Sequence, residues 1–154
     1  MKMTDELLDR LSEQYRGELA AMESYEKALK KYKGQPEEAD LRRMYREHLD
    51  ATLRLRDTIL DHGRMVPEGS GAWGKVASTV ERVATLVNDE LPLQVLRRGE
   101  SIGAGGYADL LKDNNLSDAL FVELAALRSR CERHVNTLGA MIERVPEIQS
   151  RPMI

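Results

Sequence analysis

The sequence predicts an all-α fold, a bundle of four long helices, and three observations predict it. Helix-forming residues dominate the 154-residue chain, aromatics make up only 5%, and long β-branched runs are absent. Capping and breaking residues cut the chain into four long segments. Each segment carries an apolar seam at spacings of three and four, the mark of a helix that buries one stripe. The length suits one domain with its own core, and the boundaries expected from the pattern are 1–145 for the bundle and 146–154 for a C-terminal tail.

The elements follow in order. Thr4 is placed as the N-cap of a first helix that ends near Gly34, with Asp5 and Glu6 favourable in its first turn. Pro36 suits the first turn of a second helix, which Gly63 stops. "GRMVPEGSG" reads as loop. A short crossover helix follows, with Trp73, Val76, Val80, Val83 and Val87 on one face. "NDELP" breaks it, and Pro92 opens a third long helix that runs to about Asp113. Ser117 caps the fourth, which is expected to end at Val145, just before Pro146. The central connection of roughly 28 residues is long for a compact domain. It is the length an up-down-down-up bundle needs, because its second and third helices run the same way.

The seams are unbroken, and each carries one ionisable residue near its middle. The first reads Leu8, Leu11, Tyr15, Glu18, Met22, Tyr25, Leu29, Tyr32. The second reads Leu41, Tyr45, His48, Thr52, Leu55, Ile59, His62. The third reads Leu93, Leu96, Glu100, Gly103, Tyr107, Leu110, and the fourth Leu120, Leu124, Leu127, Cys131, His134, Leu138, Met141, Val145. Glu18 lies 16 residues before Gly34 and His48 lies 12 after Pro36; Glu100 lies 13 before Asp113 and His134 lies 17 after Ser117. A mismatch of four residues is about 6 Å of helix, so all four groups can meet near mid-bundle. A lone carboxylate there costs several kcal/mol. Two Glu and two His together can satisfy one another as a hydrogen-bonded layer, or hold a cation.

A repeat ties the two halves together. "RGELAAMESY" from Arg16 and "RGESIGAGGY" from Arg98 both run Arg-Gly-Glu to Tyr at a shift of 82, and Leu29 and Lys30 recur as Leu111 and Lys112. The His shift is 86, so the second hairpin has four residues to absorb. The repeat predicts near two-fold pseudosymmetry, pairing Glu18 with Glu100 and His48 with His134. Gly99, Gly103, Gly105 and Gly106 fall inside the third helix, which admits two readings: close helix packing, or open space beside Glu100. His62, beside Gly63, reads as a helix C-terminal cap.

These residues resemble the ferritin-like superfamily, the bacterioferritin and rubrerythrin kind of bundle, and most of all its small bacterial members of unassigned function. The resemblance spans nearly the whole chain. It rests on Gly-Glu in the first and third helices, Tyr seven residues after the first Glu, His in the second and fourth, and the "GRMVPEGSG" connection. It implies a metal site in which Glu18, His48, Glu100 and His134 match family ligands, with Tyr25 near the metals. It implies iron, and with it ferroxidase or peroxide-related chemistry. One departure stands out: the family's bridging Glu positions, three before each His, hold Tyr45 and Cys131, and Glu47 and Glu132, close by in sequence, point elsewhere on their helices, about 100° and 200° from their respective His. A degenerate site, metal-binding but without its bridges, is one expectation. The other is a decayed site holding no metal, in a non-catalytic bundle that binds a partner or serves in stress. Cys131 with His134, His48 and one Glu gives a mixed set that suits one zinc ion. Tyr107, like Tyr25, lies on a seam where its hydroxyl needs a partner.

Other classes are disfavoured. The net charge is −3, and basic residues are interleaved with acidic ones, as in "DLRRMYREHLD", so no nucleic-acid partner is expected. No run approaches 18 apolar residues, so no membrane span is expected. "MKMTDELLDR" lacks the apolar stretch of a signal peptide, and the single cysteine excludes an internal disulfide; both suit a cytoplasmic protein. A homo-oligomer, dimer or larger, stays open.

Overall fold

The computed structural model describes residues 3–71 and 91–150. Among them the chain forms four helices and no strand: α1 (Asp5–Lys31), α2 (Glu38–Asp61), α3 (Leu91–Leu110) and α4 (Asp118–Ser150). The expected crossover helix, with Trp73 and its valines, lies outside the described residues. No described helix is long and apolar enough to cross a membrane.

The caps explain most of the boundaries. Thr4 Oγ1 accepts from Leu7 N at 3.1 Å, while Asp5 and Glu6 sit in the first turn of α1 and Lys30 and Lys31 in its last. Both charge pairs complement the helix dipole. Gly34 (φ 78°) and Gly63 (φ 79°) turn the chain out of α1 and α2 in the left-handed region that glycine alone enters freely. Two ends differ from expectation. Pro36 lies in a turn closed by Glu38 N to Gln35 O (3.1 Å), so α2 starts at Glu38 rather than at the proline. The helix capped by Ser117, whose Oγ accepts from Leu120 N at 3.2 Å, does not stop at Val145 but continues through Pro146 to Ser150. A helical proline fixes φ near its helical value and removes one amide donor, so it weakens a turn without forcing the chain out.

Named contacts give the helix directions pairwise. α1 is antiparallel to α2, from Tyr45 on Glu26 at one end to Arg64 on Asp5 at the other. It is antiparallel to α3 as well: Tyr25 meets Glu100 and Arg10 meets Asp113. α4 lies against α3, where Arg97 abuts Gly139, and against α2, where Arg54 approaches Glu123 and Arg130 holds Asp50. The contact between α2 and α4 is the thinnest of the four.

Two apolar clusters fill the interior. One gathers Leu7, Leu11, Leu55, Ile59, Leu110 and Leu124; the other gathers Ala28, Leu41, Met44, Leu93, Leu138 and Met141. Each fully buried Leu or Ile contributes about 1.5–3 kcal/mol. Between the clusters runs a polar layer, and their burial offsets the several kcal/mol it takes to desolvate each ion of that layer.

Candidate metal centre

Glu18, His48, Glu100 and His134 form that layer, one from each helix, and all are at most 4% exposed. Each occupies the middle of its seam, so the same periodicity that buries the leucines above and below also buries the four polar groups. They touch directly. His48 Nδ1 lies 2.5 Å from Glu18 Oε2, and its Nε2 lies 2.5 Å from Glu100 Oε1. His134 Nδ1 lies 3.0 Å from the same Glu100 oxygen.

The tyrosines answer the question that the repeat poses. Tyr25 donates to Glu100 Oε1 at 2.7 Å, and Tyr107 donates to Glu18 Oε1 at 2.6 Å. Each half's tyrosine therefore grips the other half's glutamate. The exchange is what a pseudo-two-fold axis between α1 and α3 requires, and it gives the Gly-Glu…Tyr echo a physical reason. The tyrosine supplies a donor to a carboxylate that its own helix cannot satisfy.

Electrostatics follow from the contacts. Burial alone would lower the His48 pKa, but Glu100 and Glu18 on either side hold it well above its usual value near 6.5. The ring then donates from both nitrogens as an imidazolium, which is what two flanking carboxylates ask of it. Burial alone would raise Glu100, but the charge of His48 and the hydrogen bond from His134 hold it well below the usual carboxylate range. Burial, with Glu100 beside one and Glu18 beside the other, pushes both phenols, Tyr25 and Tyr107, well above 10. Burial also pushes the Cys131 thiol up, and Glu100 and Glu18 add to the shift.

The layer is not fully satisfied. Glu100 Oε1 faces three groups, whereas Glu100 Oε2 is buried with no hydrogen-bond partner among the described residues. A buried carboxylate oxygen without a partner carries a desolvation penalty that a cation or water would relieve. His48, Glu100 and His134 can each offer one ligand atom, and these atoms lie within 4.8 Å of one another. Glu18 stands behind His48 on the other ring nitrogen. A cavity of about 40 Å³ adjoins the layer between α1 and α3, walled by Gly17, Ala21, Gly99 and Gly103 and by Glu18, Tyr25, His48, Glu100 and Cys131. It has room for about two or three waters.

The glycines of α3 divide between the two readings made of them. Gly99 and Gly103 wall the cavity, while a Cβ on Gly106 would meet Gln14 Oε1 at 2.2 Å, which is close packing. His62 is the C-cap of α2, with Nδ1 2.8 Å from Thr58 O.

Other sequence candidates fall on either side of the layer. Cys131 is buried beside it but outside the convergent group of three. Tyr45 is turned away, half-buried and bonded to Glu26 at 3.2 Å. Glu132 is exposed and pairs with Arg128 at 2.8 Å. A further residue, Glu47, enters where the seam did not place one. Its Oε2 lies 3.2 Å from His134 Nε2, across the thin contact between α2 and α4. Its sequence signal is weak: it precedes His48 by one residue, about 100° off the seam, and becomes legible only once α4 is known to lie on that side.

Tyr45 and Cys131, where the resemblance implies bridging carboxylates, supply none to the layer, one side chain being turned outward and the other a buried thiol. The donor set fits one ion and does not fit a bridged pair. The chain matches no protein-family model, no curated protein and no solved structure.

Proposed function

We propose that this protein is a ferritin-like bundle that binds one divalent transition-metal ion through His48, Glu100 and His134. The observation that carries the reading is the buried Oε2 of Glu100, without a hydrogen-bond partner among the described residues, within a two-histidine, one-carboxylate group. Fe(II) and Zn(II) both accept that donor set. In support of the reading, α1 runs antiparallel to both α2 and α3, so these two share a direction, as they do in an up-down-down-up bundle. A metal held here would supply Lewis acidity or, as iron, one-electron chemistry toward a small molecule. The ferroxidase or peroxide-related activity implied by the resemblance belongs to this reading in its iron form.

A second reading has its own observation. Both nitrogens of His48, both nitrogens of His134 and both tyrosine hydroxyls face partners, as in a structural hydrogen-bonded layer. On that reading the site has decayed, no cofactor is bound, and the bundle is a non-catalytic partner-binding module.

Metal analysis of protein purified without chelator, with thermal melts, separates the two. A bound ion stabilises by about 2.7 kcal/mol when free metal is a hundredfold above its dissociation constant. Chelator then lowers the wild-type melting temperature and leaves a variant with Leu or Met at all four positions unmoved. A metal-free wild type whose melt ignores both chelator and added Fe(II), Co(II) and Zn(II) leaves the structural layer as the function of these residues.

A further inference from the structure

A line of polar contacts links the buried layer to the α2–α4 surface, and it runs through His134. The chain of contacts reads Glu18, His48, Glu100, His134, Glu47. The first four residues are buried, while the Glu47 side chain is 27% exposed. Glu47 sits on the α2–α4 seam, where the helices touch least. Asp50, one turn further along α2, adds a second, more exposed carboxylate on the same side. Arg130 of α4 closes over both: its Nη1 donates to Asp50 Oδ2 at 3.0 Å and to the Glu47 carbonyl at 3.0 Å, and its Nε stands 3.6 Å from Glu47 Oε2. Arg43 reaches the other Glu47 oxygen at 4.0 Å.

We infer that Glu47 is the capture carboxylate for the buried site: it takes a divalent cation from solvent at the α2–α4 seam and delivers it past His134 to the free oxygen of Glu100, with Arg130 as the lock that the ion displaces. This rests on the one-metal reading above. Three features support it together. Glu47 is the one member of the chain of contacts that reaches solvent. It touches a proposed ligand directly. At the inner end of the line waits an unpartnered, buried carboxylate oxygen. A structural layer has no need of a half-exposed carboxylate at its rim, because His134 could face a backbone carbonyl or a water there. A delivery route needs a negative group at its mouth, since a charged funnel raises the local cation concentration and the association rate. Arg130, with Arg43 beside Glu47 and Arg54 on Asp50, closes that mouth until a divalent ion, the stronger partner for two carboxylates, displaces the guanidinium.

Stopped-flow uptake of Co(II), followed by its visible absorption, with equilibrium titration of the same proteins, tests the assignment. Glu47→Gln keeps the size and the hydrogen-bonding capacity of the side chain and removes the charge. It is expected to slow association by about tenfold, within the range of electrostatic focusing. Dissociation slows in proportion, so the equilibrium constant moves by less than about threefold. Arg130→Gln, which removes the guanidinium from over Glu47 and Asp50, is expected to speed both rates. Glu47→Gln loading as fast as wild type overturns the inference and leaves the one-metal reading intact. Glu47→Gln abolishing equilibrium binding also overturns it, by making Glu47 a ligand. Wild type that takes up no Co(II) removes the metal reading itself.

Discussion

The two halves of the bundle bring the same ingredients to the centre and use them differently. In the first half, His48 is enclosed: both ring nitrogens meet buried glutamates at 2.5 Å, one from α1 and one from α3. In the second half, His134 meets Glu100 on the inside and Glu47 on the outside. The glutamates differ in the same sense. Glu18 has a partner on each oxygen, Tyr107 on one and His48 on the other. Glu100 concentrates three partners on one oxygen, and its other oxygen has no hydrogen-bond partner among the described residues. The first half therefore completes a closed salt bridge, and the second keeps an acceptor oxygen inside with no partner among the described residues and a line of contacts toward the surface.

The sharpest way to break that contrast is to remove each glutamate in chelator-treated protein and measure stability by urea unfolding. Glu100→Leu strips His48, His134 and Tyr25 of an acceptor at once and leaves the imidazolium with Glu18 alone. Breaking a buried ion pair on one side costs about 3–5 kcal/mol, and the Glu100 variant belongs at that level. Glu18→Leu leaves His48 its Glu100 counter-charge and orphans only Tyr107 and one ring nitrogen, at roughly 1–3 kcal/mol. Equal losses, or a larger one at Glu18, would mean that the two halves are equivalent in energy despite their contacts.

The pH dependence of the metal-free protein separates the halves by the sign of their effects. His48 is raised above its usual 6.5, so its contribution is complete below that pH and is lost as pH climbs through the folded value. Glu100 is lowered below its usual 4.5, so its contribution is complete above that pH and is lost as pH falls through the folded value. Stability from the layer should therefore plateau between about 4.5 and 6.5 and decline on the alkaline side, by up to about 1.4 kcal/mol per pH unit for one proton. Melts across pH read this directly. His48→Gln should flatten the alkaline arm, and an arm that survives the substitution belongs to some other group.

The tyrosines sharpen the comparison further. Tyr107→Phe leaves Glu18 Oε1 bare, whereas Tyr25→Phe leaves Glu100 Oε1 with two imidazoles. A hydrogen bond to a charged group contributes about 1.5–3 kcal/mol. The Tyr107 variant should lose that much and the Tyr25 variant about half of it, in the same urea titration. A reversed order would place the weaker acceptor on Glu18.

Much of this was legible in the sequence because burial and periodicity are the same fact in a helix. Glu18, His48, Glu100 and His134 stand at core-facing positions of four unbroken seams, and such positions converge in a bundle whose hairpins are short. The crossing of the tyrosines was not legible. A repeat shows that two segments are alike, but not that each serves the other. Tyr45 shows the converse limit: it keeps the seam spacing, yet near the α1–α2 turn the helix edge is wet, and the hydroxyl goes to Glu26. Glu47 stays off the sequence's ligand set because the seam describes one face, and a thin contact such as α2–α4 is made by residues on the flank.

The smallest expected effect comes from the stretch in which the two copies diverge most, "ELAAMESY" against "ESIGAGGY". At the repeat shift, Gly103, Gly105 and Gly106 stand opposite Ala21, Glu23 and Ser24, so α1 has side chains where α3 has none. Each helical glycine costs about 0.5–1 kcal/mol relative to alanine, but the surroundings decide how much can be recovered. A Cβ on Gly105 meets nothing within 4 Å, so Gly105→Ala should gain most of that amount. A Cβ on Gly106 lands 2.2 Å from Gln14 Oε1, and Gln14 is tied to Gly103 O at 2.9 Å. Moving the amide aside forfeits a hydrogen bond of about 1 kcal/mol, so Gly106→Ala should come out near zero. A Cβ on Gly103 makes an ordinary 3.7 Å contact with Cys131 Sγ, so Gly103→Ala should stabilise while narrowing the cavity that this glycine walls. Urea titration of the three variants tests the ranking of Gly105 above Gly106. A stabilising Gly103→Ala that leaves Co(II) affinity unchanged would show that the open space beside Glu100 serves packing alone; a weakened affinity would tie that space to the ion.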